Sequence, residues 1–135
     1  MPKPPTIVDL RWIGDLKFEA TSGDVTLTVD SAGVAGPSPV QALGMAIAGC
    51  MSADVTHILS KGRHPLRGLR SHLVADRAQT DPHRLVRMAF HFIIEGDVPR
   101  DAVARAIALS RETYCSVWHS MRQDIPFDVT FDVVA

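Results

Sequence analysis

Cys50 and Cys115 are the only two thiols in the chain. A thiol pair offers thiolate attack, reversible disulfide formation or ligation of a soft metal. Cys50 lies in Ala48-Gly49-Cys50-Met51-Ser52, with Asp54 and His57 four and seven residues on. A helix through this stretch projects all three from nearly one face, and a histidine beside a thiol supports a thiolate. The competing reading is plainer: free cysteine is most often a small buried hydrophobe, and His57 is then a half-buried histidine making one hydrogen bond.

Cys115 opens the segment Cys115-Ser116-Val117-Trp118-His119-Ser120. A helix starting there would direct unpaired N–H groups at the sulfur and lower its pKa, with His119 one turn on. Here too the alternative is core packing, between Tyr114 and Trp118. Cys50, Asp54, His57, Cys115 and His119 together are a conceivable zinc set. None has the close Cys-x-x-Cys or His-x-x-x-His pairing that zinc sites use, so no metal is expected. The sequence has no GxGxxG, Walker or GxSxG motif. Asp128 and Asp132 fall on the outer face of a strand, where solvation is the default.

The elements that must position these residues are set by periodicity. Ile7 to Ile13 and Leu16 to Ala20 alternate as two strands joined across Gly14-Asp15. Val25, Leu27 and Val29 oppose Thr26, Thr28 and Asp30 in a third strand, and Ser31 to Pro37 is a loop. A helix begins at Ser38, with Pro39 in its first turn and Gln41 completing a capping box. It runs to about Lys61 and stops at Gly62. Its centre, Ala42 to Met51, is apolar all round, so it must be covered on every side.

Two further alternating stretches carry Leu69, Ser71, Leu73 and Ala75, then Val86, Met88, Phe90, Phe92 and Ile94. The turn Thr80-Asp81-Pro82-His83 joins them. Arg100 to Tyr114 has helical spacing at Val103, Ile107, Ser110 and Tyr114. A short helix from Cys115 and a closing strand with Phe127, Val129, Phe131 and Val133 complete the order βββ-α-ββ-α-α-β. Hairpins dominate, so the class is α+β with mainly antiparallel sheets. One small chain has few elements with which to surround an all-apolar helix, which predicts a homodimer in which each copy covers the other's helix.

At 135 residues the chain has the size of one domain, residues 1–135. A formal net charge of −1, with both signs scattered, leaves no field to attract nucleic acid or an anionic membrane. The start, Met1-Pro2-Lys3-Pro4-Pro5, does not read as a signal peptide. The Ala42 to Met51 run is about half of a roughly 20-residue bilayer span. The expectation is a cytoplasmic protein with no membrane partner.

The stretch Ser38 to Val55 around Cys50 resembles the first cysteine motif of the OsmC/Ohr family, and Ala108 to Val117 around Cys115 is similar to its second. The order of elements, the turn Asp81-Pro82-His83-Arg84 and the spacing of the cysteines also match. The resemblance implies a swapped dimer with sheets packed around long central helices and active sites at the subunit interface. It implies a hydroperoxide reductase without metal or organic cofactor. Cys50 would attack the peroxide and Cys115 would close a disulfide, which a cellular dithiol reduces. Family members with strong organic-hydroperoxide activity carry a glutamate ten residues before the first cysteine, where this chain has Val40. Those members also use an arginine of the N-terminal hairpin to hold the thiolate. Arg11 and Lys17 are the candidates here. The rival to the enzyme is a non-enzymatic dimer that binds a small ligand near Cys50, or a stress protein with inert thiols.

Overall fold

The computed structural model describes residues 2–135. They form two compact units, one ending at Leu43 and the other covering Gly44–Ala135. In the first, β1 (Asp9–Gly14), β2 (Lys17–Ser22) and β3 (Val25–Asp30) make an antiparallel sheet. The register sets Leu10 beside Ala20 and Leu27, and Trp12 beside Phe18 and Val29. Because side chains alternate, these six share one apolar face, while Arg11, Glu19 and Thr28 share the other. Leu10, Trp12 and Leu27 nevertheless remain 57%, 65% and 48% exposed. These three apolar side chains stay open.

The first hairpin is displaced slightly from the sequence expectation. β1 opens at Asp9 rather than Ile7, and Gly14 pairs with Lys17 across a register shift. The turn is therefore Asp15-Leu16, one residue later than expected, with Asp15 at φ 47°.

Asp30 organises the loop after β3. Its buried carboxylate accepts hydrogen bonds from the backbone N–H of Ala32, Val34 and Ala35 at 3.0, 3.3 and 2.9 Å. The Ala35 N–H, then that of Ala32, holds the carboxyl below its ordinary 3.8. A depressed folded pKa contributes stability above the unfolded value, and that contribution fades as pH falls through the folded one. Asp30→Ala should accordingly speed hydrogen exchange at all three amides. Loop amides as protected in the variant as in the parent would contradict this role.

α1 (Pro39–Lys61) starts with the expected capping box. Ser38 Oγ accepts the Gln41 N–H at 3.1 Å, and Gln41 Oε1 accepts the Ser38 N–H at 2.9 Å. The C-terminus ends differently from the expectation of a stop at glycine. Arg63, not Gly62, takes the left-handed conformation at φ 61°. The His64 N–H donates to Leu59 O, and the Arg63 N–H to Ser60 O, closing a Schellman motif one residue later.

In the second unit, β4 (Leu66–Arg77) and β5 (Leu85–Gly96) pair antiparallel, and β6 (Phe127–Val134) joins β5 in parallel. Between β5 and β6 lie α2 (Arg100–Leu109), a π-helical turn (Ser110–Tyr114) and the single turn α3 (Ser116–His119). A parallel return needs such a crossover. The class is α+β, as the alternation implied.

The core is a row from β5, Met88, Phe90, Phe92 and Ile94, with Val103 and Ala106 of α2 and a stripe of α1. That stripe is Ile47, Met51, Val55 and Leu59, one residue per turn. Ser52 on α1 shares a 3.0 Å hydrogen bond with Ser71 on β4, which places the helix over the Phe90 and Phe92 face. On the opposite face, Asp128 pairs with Arg87, and His91 meets Thr130 and Asp132.

Another side of α1 is open. Met45 is 62% exposed, and Gly49 and Ala53 on the same side are exposed too. At 23 residues the helix is long and apolar enough to cross a membrane by length and composition. The Ala42 to Met51 run understates it. The buried stripe and the Ser52 contact instead tie the helix to a sheet.

Candidate active site at Cys50, Asp54 and Cys115

α1 carries Cys50 and Asp54 one turn apart, both half-buried. The segment after α2 brings Cys115 to them. The two sulfurs and a carboxylate oxygen of Asp54 all lie within 4.8 Å of one another. Among the described residues no other group of three metal-ligating or acidic side chains converges in this way.

A π-helical turn leads directly into Cys115. The helical spacing predicts one helix through Tyr114, but the regular turns end at Leu109. The Cys115 N–H then reaches five residues back to Ser110 O at 2.8 Å. Such a widened turn re-aims the residues on either side of it and is common at functional sites. Ser110, fully buried, points its hydroxyl at Asp54 and donates to Oδ2 at 2.8 Å. Tyr114, expected to pack beside Cys115, is 57% exposed instead, while Trp118 is buried.

Cys115 itself is fully buried and caps α3, accepting the Trp118 N–H at 3.4 Å. The expectation that a helix start lowers this thiol's pKa is overturned. Burial pushes it up to about 11, and the nearby Cys50 and Asp54 charges add to that, against the opposing Trp118 N–H. α3 has only four residues, so little dipole accumulates behind its one donor. At neutral pH Cys115 is a thiol. Iodoacetamide should therefore spare Cys115 in the native protein under conditions that modify Cys50, and urea should abolish the difference. Equal native rates would contradict the burial.

The other sequence candidates fall elsewhere. His57 and His119 are exposed and do not belong to the converging group. Arg11 and Lys17 belong to the first unit, where Arg11 bridges Glu19 at 3.2 Å and Lys17 bridges Asp15 at 3.7 Å. Gln41 is occupied by its cap. Ser110 was not singled out for chemistry by the sequence. The available signal was a hydroxyl at a core-periodic position of a helix, which demands a buried partner.

The model of the OsmC-like protein family matches residues 16–130, across both units. Protein YhfA of Escherichia coli strain K12 is 35% identical over 129 residues, 93% of this chain and 96% of its own length. A hypothetical protein from Aquifex aeolicus VF5 has the same fold at 23% identity, with TM-score 0.91 and 98% of each chain covered. An organic hydroperoxide resistance protein OsmC from Legionella pneumophila shares it at 15% identity, with TM-score 0.72 and 98% and 100% of the two chains covered. The chain belongs to the OsmC-like protein family.

Proposed function

We propose that this chain is a thiol-dependent peroxidase that reduces organic hydroperoxides, and hydrogen peroxide, through Cys50 and Cys115. The observation that carries the reading is the approach of the two sulfurs within 4.8 Å in a member of this family. A disulfide requires about 2.05 Å, a closure that the π-helical turn beside Cys115 is suited to supply.

Cys50 is the reachable thiol and acts first. Its thiolate attacks the terminal peroxide oxygen, the O–O bond breaks, and the alkoxide leaves as alcohol after taking a proton. Cys50 is then a sulfenic acid. The Cys115 sulfur attacks it, water leaves, and a Cys50–Cys115 disulfide forms. A cellular dithiol restores both thiols by exchange. A thiol held protonated near pH 7 suits the second role better than the first. Oxidation of Cys50 to a neutral sulfenic acid also removes one of the charges that hold the Cys115 proton in place.

The unit of function is a cytoplasmic homodimer in which both compact units of each chain act as one domain. The open faces of the first sheet and of α1 support a second copy as their cover. In that dimer the Cys50 thiolate takes its cation from the first hairpin. Arg11 ranks ahead of Lys17, because a guanidinium stays charged when partly buried.

Stopped-flow mixing of reduced protein with cumene hydroperoxide tests the reading. One equivalent of peroxide should disappear per chain without added reductant, and continuous turnover should appear with a dithiol. The raised Cys115 thiol favours a second reading, a dimer that binds a small ligand beside Cys50. No peroxide consumption by fully reduced protein would put that reading first.

A further inference from the structure

Two thiols and a carboxylate converge here, and none of the ion pairs among the described residues engages Asp54. Asp54 is not left loose. The Ser110 hydroxyl holds Oδ2, which leaves Oδ1 free to bind something else. Ser110 is itself anchored, since its carbonyl accepts the Cys115 N–H. The short segment 110–115 therefore delivers one sulfur and also fixes the orientation of the carboxylate. Support of this kind for a ligand oxygen is typical around bound metal ions.

We propose that reduced Cys50, Cys115 and Asp54 bind one Zn2+ ion through two thiolates and one carboxylate oxygen, with the fourth position open to water. Thiolate donors select zinc over magnesium or calcium, and three protein ligands leave a tetrahedral ion one free site. With zinc–sulfur bonds of about 2.3 Å and zinc–oxygen bonds of about 2.0 Å, the ligand atoms would stand about 3.5–3.8 Å apart. The observed limit of 4.8 Å asks for about 1 Å of closure around the ion. Binding takes both sulfurs as thiolates and displaces any protons they carry, so affinity rises with pH. Cys50 and Asp54 are half-buried and give the ion its way in.

The same sulfurs cannot hold zinc and form a disulfide together. Zinc thus shields the reduced pair from hydroperoxide, and oxidation expels the ion. The expectation of no metal rested on sequence spacing alone. Cys50 and Cys115 belong to separate elements, so no Cys-x-x-Cys pattern could announce them.

The test is cadmium titration of the reduced protein, followed by its thiolate-to-metal ultraviolet band, with equilibrium dialysis of Zn2+ in parallel. One ion per chain is expected, with protection of Cys50 from alkylating reagents and release of protons. Ser110→Ala should weaken binding by about tenfold or more, as loss of an outer-shell partner does. Asp54→Asn should weaken it further, and the disulfide form should not bind. Failure of the reduced wild-type protein to bind micromolar Zn2+ would overturn the site. So would alkylation of Cys50 at an unchanged rate when zinc is present, a readout that needs no variant. Metal binding is measured without peroxide, so its failure leaves the peroxidase reading standing, and the reverse also holds.

Discussion

Cys50→Ser should reduce hydroperoxide consumption to the uncatalysed level, whereas Cys115→Ser should retain one turnover per chain and then stall. The difference comes from where the two sulfurs sit. Cys50 is half-buried and can meet a peroxide, but a serine hydroxyl near neutral pH is a far weaker nucleophile than a thiolate. Cys115 is enclosed and protonated, so its loss leaves the first attack in place. The stalled product is a sulfenic acid, open to trapping by dimedone and to further oxidation by excess peroxide. Stopped-flow consumption and intact mass distinguish the two variants. Full multiple-turnover activity in both would eliminate the two-cysteine mechanism.

Met45→Glu should convert the proposed dimer to monomer or leave it insoluble. Met45 stands on the side of α1 opposite the Ile47, Met51, Val55 and Leu59 stripe, beside exposed Gly49 and Ala53. A Cβ at Gly49 would meet nothing within 4 Å, so another backbone could lie close along this side. Burying an unpaired carboxylate costs several kcal/mol, and a two-fold interface repeats the substitution. The dimer dissociation constant should therefore rise by about a thousandfold or more. Light scattering with size exclusion checks the result. An intact Met45→Glu dimer would show that this side of α1 is not the interface, and a folded wild-type monomer at micromolar concentration would rule out the dimer itself.

Local signals carried most of the fold. The Ser38 and Gln41 capping box was legible because a cap is settled within four residues. The β5 row of Met88, Phe90, Phe92 and Ile94 was legible because a half-buried strand alternates. What the sequence hid depends on distant partners. Ser110 and Asp54 are 56 positions apart, and Ser110 opens the π-helical turn into which the chain widens after Leu109. The parallel placement of β6 depends likewise on the length of the crossover. The Cys115 thiol reads wrongly from sequence because a helix start is visible there and the burial around it is not, and burial dominates. Arg11 shows the same limit, since a sequence offers a cation without revealing that Glu19 lies directly across the sheet from it.

The central claim is that Cys50 and Cys115 work as one redox pair, and disulfide mapping tests it most directly. Reduced protein is mixed with one equivalent of cumene hydroperoxide, the remaining thiols are alkylated, and the peptides are identified by mass spectrometry. A Cys50–Cys115 linkage within a single chain, formed in proportion to the peroxide consumed, is the predicted result. Peroxide consumed while both cysteines are recovered alkylated, or a linkage joining Cys50 to Cys50 between chains, would contradict the account.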